Sequence, residues 1–278
     1  MGYASKLNVR NWSALAGGVL LLVTTLGLVT ICRANEPAAK PAGVPVGVVE
    51  LFTSQGCASC PPADALLEKL AEEGEVVALA FHVNYWDYLG WRDTLGSEQN
   101  TERQNAYRLA LGTNGIYTPQ MIINGREHVI GSKAAKVRER IGAMQGTPKG
   151  LTVPVRMESR DPDRLIIKLG AGEKKEHPVH VLVVYFEGEK TITIEKGENK
   201  GKTVTYTNVV RTVETVGMWD GKEQQIDIPL SALAIKKAAG CAVLLQEMLG
   251  EGRPGPIIGA SIMPAGEYGS KDSQTKAP

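Results

Sequence analysis

From residue 46 onward the chain alternates apolar runs with helical patterns. Residues 46–53 form a continuous apolar stretch interrupted by Glu50, residues 62–73 carry Leu66, Leu67 and Leu70 at helical spacing, and residues 76–83 are apolar again. This predicts a β-α-β unit. The spacing further predicts a helix over 97–111 closed by Gly112, and strands over 118–123 and 127–130 that pair across Asn124-Gly125, a strong hairpin signal. Ser132 is placed to cap a last helix running to Met144. The predicted order is β-α-β-α-β-β-α over residues 46–148.

Beyond Gly150 the texture changes to short alternating or β-branched runs, at 151–157, 165–169, 179–186, 191–195, 203–216, 225–228, 242–245 and 257–262, separated by Gly, Asp, Asn and Pro turns. One helix is possible over 230–239. Such spacing predicts a second, mostly β, sandwich-like domain over 150–265, followed by a polar tail over 266–278 with too little apolar content to order itself. No repeat at solenoid period appears.

The N-terminus reads as an export segment. Lys6 and Arg10 precede an uncharged, mostly apolar run over 13–31, which Cys32-Arg33-Ala34 follows, so residues 1–34 are expected to be a signal peptide or a membrane anchor and 35–45 a linker. Either way the body lies outside the membrane, periplasmic or extracellular. The whole chain of 278 residues carries 31 basic and 30 acidic residues, a formal +1, but removing 1–34 takes away Lys6, Arg10 and Arg33 and no acid, leaving 28 against 30 and a formal −2. A mildly acidic body without a polybasic stretch argues against a nucleic-acid partner.

Four cysteines are too few for a disulfide scaffold, and Cys57 and Cys60 alone are clustered. After export three remain, which in an oxidising compartment suggests one Cys57-Cys60 pair and one odd thiol, with Cys241 read as a buried strand residue. Zinc needs further thiols or imidazoles, and His82, His128, His177 and His180 show no ligand spacing, so neither metal nor cofactor is expected. Redox chemistry needs an exposed thiolate at a helix start and a second thiol to resolve the mixed disulfide, roles that Cys57 and Cys60 fit. Pro61 and Pro62 predict that the regular helix begins only there, and Asp64 in its first turn opposes a nearby thiolate.

Other candidates surround the pair. Glu50 interrupts a central strand and is either a proton acceptor for Cys60 or an inward acid held by hydrogen bonds or a salt bridge. Pro119, after Thr118, is either a cis proline beside the disulfide or an ordinary strand-start proline. The loop holding Tyr85, Trp86, Tyr88 and Trp91 follows the second parallel strand, so it shares a sheet edge with Cys57. It is either a platform for a peptide, with Thr118, or a folded-in cover. Arg103 and Tyr107, one turn apart, either face the same loop or form a solvated helix face, and His82 reads as a satisfied core histidine.

The motifs Val49-Glu-Leu-Phe-Thr-Ser-Gln-Gly-Cys-Ala-Ser-Cys-Pro-Pro-Ala-Asp64, Phe81-His-Val-Asn-Tyr-Trp-Asp-Tyr-Leu-Gly-Trp91, Tyr117-Thr-Pro-Gln120, Gly197-Glu-Asn-Lys-Gly201 and Asn208-Val-Val-Arg211 give the chain its resemblance. It resembles the thioredoxin-like superfamily, and within it an uncharacterised family of secreted bacterial proteins, a domain of unknown function. The resemblance implies that Cys57 is the nucleophile, Cys60 the resolving cysteine and Pro119 a cis proline facing them. This chain has Ala58 and Asn84 where that pattern usually has Ser and Asp, so residue 84 has no acid role here. The leading expectation is an exported thiol-disulfide oxidoreductase acting on protein or peptide thiols. The alternatives are a binding or scaffold protein with a fixed disulfide and, less favoured because no Met- or His-rich motif accompanies the pair, a copper-handling protein.

Overall fold

The computed structural model describes residues 44–161, 164–229 and 240–263. β1 (Gly47–Thr53) runs into α1 (Pro61–Glu73), which starts at two prolines whose missing N–H groups cost nothing in a first turn, and ends at Gly74 in the left-handed region (φ 69°). β2 (Val76–His82) returns parallel to β1, in register Glu50 with Leu79 and Thr53 with His82. α2 (Glu98–Leu111) lies where expected, its N-cap Ser97 accepting from the Asn100 N–H and Gly112 closing it at φ 65°. β3 (Gln120–Ile123) pairs antiparallel with β1 and with β4 (Glu127–Ile130), and α3 (Ala134–Met144) follows. Its N-cap position is Lys133, without a side-chain cap, rather than Ser132.

The Asn124-Gly125 turn has φ 48° and 64°, the backbone that an Asn-Gly hairpin favours. It is also a packing node. Asn124 Oδ1 accepts from Val48 N–H at 2.7 Å, and its carbonyl accepts from Ile257 N–H at 2.8 Å. A Cβ on Gly125 would lie 2.2 Å from the Gly255 carbonyl oxygen. Gly125→Ala is therefore expected to cost about 3 kcal/mol in urea unfolding, from backbone strain plus overpacking. Gly142→Ala, in α3 with open space around its Cβ, should be neutral or gain up to about 1 kcal/mol.

The second half holds β5 (Val155–Asp161), β6 (Arg164–Leu169), β7 (Val179–Glu187), β8 (Lys190–Thr193), β9 (Thr203–Tyr206), β10 (Val209–Trp219), β11 (Gln224–Pro229), β12 (Gly240–Met248) and β13 (Pro254–Met263). The run predicted over 203–216 is two strands, broken near Asn208 at φ 50°. These strands do not form a domain of their own. The main sheet has eight strands in the order β13-β12-β7-β10-β2-β1-β3-β4, so it crosses the boundary expected near residue 149. The reason lies in β2, whose second edge needs partners for its backbone: Ala80 N–H donates to Asn208 O at 3.0 Å, and Asn208 Nδ2 donates to Ala78 O at 2.9 Å.

All described residues belong to one compact unit. The fold is mixed α/β, mostly β, around a central mixed sheet with few helices. One core joins Phe52, Leu79, Phe81 and Tyr107 to Val184, Phe186 and Leu244, from both halves. On the other face of β1 and β2, Val49, Leu51 and Ala78 pack against Leu67 of α1 and Ile141 of α3. The sandwich-like layering is real but local: the sheet β11-β6-β5 covers β7 and β12 through Leu165, Ile167, Val181, Val183 and Val243. The expected export segment 1–34, the linker except its last residues, the helix over 230–239 and the tail lie outside the described residues. Among the described residues no helix is long and apolar enough to cross a membrane.

Candidate functional site

Cys57 and Cys60 occupy the turn between the buried end of β1 and the first turn of α1, and they form a disulfide. Cys60 is the helix N-cap residue, and its carbonyl accepts from Ala63 N–H at 2.8 Å and Asp64 N–H at 3.1 Å. Cys57 is 2% exposed and Cys60 0%, whereas Ala58 and Ser59 between them are exposed. The turn is held from several sides. Gln55 N–H donates to Asp93 Oδ2 at 2.8 Å, Gly56 N–H to Ser54 Oγ at 3.1 Å, and Trp91 Nε1 to Gln55 Oε1 at 2.8 Å. Asn199, from the β8–β9 connection, donates its Nδ2 to the carbonyls of Gln55 and Cys57 at 2.9 and 2.8 Å.

Side-chain parity along β1 separates two of the buried acids, Glu50 and Asp64. Glu50 shares its face with Val48 and Phe52, toward α2, while Thr53 shares the α1 face with Val49 and Leu51. Glu50 lies against α2, 2.7 Å from an Arg103 guanidinium nitrogen, and accepts from the Tyr107 hydroxyl. Gln246 of β12 completes the group, accepting from Arg103 at 3.0 Å and donating to Tyr107 at 2.8 Å. Arg103 and Tyr107 thus face the sheet, not solvent, because burial of Glu50 calls for a cation. Burial opposes the Arg103 charge, but the Glu50 carboxylate outweighs it and holds the guanidinium above its ordinary value. Burial and the same carboxylate push the Tyr107 phenol well up.

Two buried acids stand on the cysteine side of the sheet, Asp93, which holds the Gln55 N–H, and Asp64. Asp64 stands four residues after Cys60 on α1, so the two side chains sit one turn apart on one helix face. Asp64 is buried and accepts from Thr53 Oγ1 at 2.7 Å, while its Oδ2 has no hydrogen-bond partner among the described residues. Burial pushes its carboxyl up to about 7, against the lowering effects of the Thr53 hydroxyl and His82 and with a further rise from Asp93. His82, beside Thr53 in the sheet register, puts Nδ1 2.8 Å from Asp93 Oδ2, packs edge-on to Tyr206 at 4.6 Å, and has no partner for Nε2 among the described residues. Burial opposes the Asp93 charge, yet His82 and the N–H groups of Gln55 and Leu95 hold that carboxyl below its ordinary range.

The aromatic loop divides. Trp86 Nε1 donates to Thr118 Oγ1 at 2.7 Å and a Cβ on Gly56 would meet Trp86 Cβ at 3.0 Å, so Trp86 bridges the cysteine turn and the proline turn, where the Thr118-Pro119 bond is cis. Tyr88 is 77% exposed and stacks on Trp86 with centroids 6.4 Å apart; Tyr85 flanks it at 5.8 Å. Trp91 instead donates to the Gln55 side chain, and a Cβ added at Gly197 would lie 3.2 Å from Trp91 Cβ. The structure therefore brings Cys57, Cys60, Thr118, Pro119, Trp86 and Tyr88 to one region and puts Glu50 on the other face of the sheet. Sequence reasoning missed Asp93 and Asn199. Asn199 stood in plain view within Gly197-Glu-Asn-Lys-Gly201, where an Asn between glycines reads only as a turn.

The X-ray crystal structure of a structural-genomics target from Agrobacterium tumefaciens is similar to this chain, with 46% sequence identity and a TM-score of 0.73 over 81% of this chain and 96% of that one. No curated protein matches. The family model described as a protein of unknown function, DUF1223, matches residues 48–246, a span that takes in both cysteines, Asp64, Arg103, Pro119, Asn199 and Gln246. By that match the chain belongs to the DUF1223 family.

Proposed function

We propose that this protein is a thiol-disulfide oxidoreductase whose first half is a thioredoxin-like unit, exported from the cytoplasm and acting on protein or peptide thiols through Cys57 and Cys60. The observation that carries the reading is the Cys57-Cys60 disulfide at the strand-to-helix junction with the buried Asp64 one turn behind Cys60. An incoming thiolate bonds to Cys57 Sγ, the Cys57-Cys60 bond breaks, and its electron pair leaves on Cys60 Sγ, which takes a proton from the Asp64 carboxylic acid. A second substrate thiolate then attacks the substrate sulfur of the mixed disulfide and releases Cys57 as the thiolate, so one dithiol is oxidised and one disulfide reduced. The same steps reversed reduce a substrate disulfide, with the Asp64 carboxylate taking the Cys60 proton. Asp64 fills here the role that the sequence suggested for Glu50, which α2 holds on the other face.

The test is the reduction potential of the pair in glutathione buffers, together with Cys60→Ser incubated with a disulfide-containing peptide. A potential between about −120 and −270 mV and a mixed disulfide trapped on Cys57 are expected. A potential below about −300 mV with nothing trapped would mark a structural disulfide and overturn the reading.

A further inference from the structure

The exchange chemistry above uses nothing from the second half of the chain, yet that half reaches the backbone of the turn that carries the disulfide. Residues 194–202, between β8 and β9, carry Asn199, which is 1% exposed although its neighbours are Glu198 and Lys200. A buried amide in a polar turn needs full use of its hydrogen-bonding groups. Asn199 makes that use at the cysteine turn: both Nδ2 bonds go to the carbonyls of Gln55 and Cys57, while Oδ1 accepts from Lys202 Nζ at 2.8 Å. The connection is anchored in turn, with Ile194 fully buried, its carbonyl accepting from Gly201 N–H at 2.7 Å, and Gly197 in the left-handed region against Trp91.

Access to Cys57 follows from this. The residue is 2% exposed, with Trp86 against Gly56 on its N-terminal neighbour and Asn199 on its own carbonyl. Thiol exchange requires the attacking sulfur to come up to Cys57 Sγ in line with the bond being broken. A sulfur on a slender stem can enter a narrow opening, whereas a cysteine set in a folded surface brings that surface with it. Resting on the exchange reading, we propose that Asn199 is a positioning residue through which the β8–β9 connection selects the substrate: slender thiols, whether small molecules or cysteines of extended chains, exchange at Cys57, and thiols on folded surfaces are excluded.

The test uses the full chain. Oxidised protein is mixed with glutathione, with a short flexible peptide bearing one cysteine, or with a folded protein bearing one surface cysteine, each rate being normalised to that thiol's attack on a small disulfide. Glutathione and the peptide mark the two sources of slender thiol and are both expected to exceed the folded thiol by about tenfold or more, the scale on which two neutral hydrogen bonds shift an opening equilibrium. Asn199→Asp keeps the shape and the Lys202 contact but loses both donors, and should collapse that ratio toward one. Asn199→Leu, which removes both donors without adding a charge, should collapse the ratio in the same way, so that the ratio reads access rather than repulsion of the thiolates. A folded thiol that matches glutathione on the wild-type chain overturns the proposal without any variant, and a ratio unchanged in a folded Asn199→Asp removes the role from Asn199. If the disulfide proves structural, phosphine-reduced protein is labelled at Cys57 with iodoacetamide or a polymer-linked maleimide, each normalised to free cysteine. Equal protection against both reagents then overturns the access argument, separately from the failure of the exchange reading.

Discussion

Arg103→Met is expected to destabilise the protein by about 3–5 kcal/mol at pH 7, the range for removing one partner of a buried ion pair. Glu50 is fully buried in the central strand β1, and Arg103 supplies it with two contacts, Nε at 2.8 Å and the guanidinium nitrogen at 2.7 Å. Without them the Tyr107 hydroxyl is its remaining side-chain partner among the described residues, and Gln246 Oε1 loses the Arg103 donor. Methionine fills the space of the Arg103 stem but removes the guanidinium carbon that lies 5.5 Å from the Phe81 ring centroid and 5.1 Å from that of Tyr107, so the loss reports charge, hydrogen bonding and this cation–π contact rather than an empty space. Because β1 and β12 are both tied to this group, unfolding should remain one cooperative transition with a midpoint lowered by about 10 °C. Adding Glu50→Gln should restore most of the loss, since a neutral amide needs no cation. A loss below about 1 kcal/mol at pH 7 would mean that water reaches Glu50 and that the pair is no structural tie between the two halves.

That tie explains much of what could and could not be read from the chain. Local signals carried the first half: the prolines opening α1, Ser97 and Gly112 bounding α2, and Asn124-Gly125 closing the hairpin are contacts within a few residues. The joining of the halves rests on Asn208 against β2 and on Gln246 against α2, pairs separated by more than a hundred residues, which periodicity does not encode. α2 hid its buried face for a simpler reason, since the residues it buries are Asn100, Gln104 and Tyr107, and the apolar pattern that marks an inward face is absent. The interruption of β1 correctly marked Glu50 as unusual. Assigning its partner required knowing which parity faces α1, and in the sequence only the later helix residues Leu66, Leu67 and Leu70 bear on that.

Asp64 shows the same limit at the site, and its replacement gives the other large effect. A first-turn acid reads as a solvated helix-dipole partner, but here Thr53 and the end of β1 bury it. Its carboxyl is raised from 3.8 to about 7, chiefly by burial. Between those values the folded chain binds more protons than the unfolded one, so stability falls as pH rises through the window from about 4 to 7 and stays low above it. A rise of that size corresponds to an upper bound of about 4 kcal/mol. An asparagine side chain at this position cannot ionise and still accepts from Thr53, so Asp64→Asn should be about 2–4 kcal/mol more stable than the natural chain at pH 8 and nearly equal to it at pH 4, by urea unfolding of the disulfide form. The same substitution removes the proton that Cys60 receives as it leaves. Exchange at Cys57 should then slow about a hundredfold near pH 6. The gain in stability and the loss of rate come from one proton, so they separate the alternatives: a chain that gains stability above pH 7 and exchanges at an unchanged rate holds Asp64 as a buried acid without a part in thiol chemistry, and one that shows neither effect holds a carboxyl that burial has not raised.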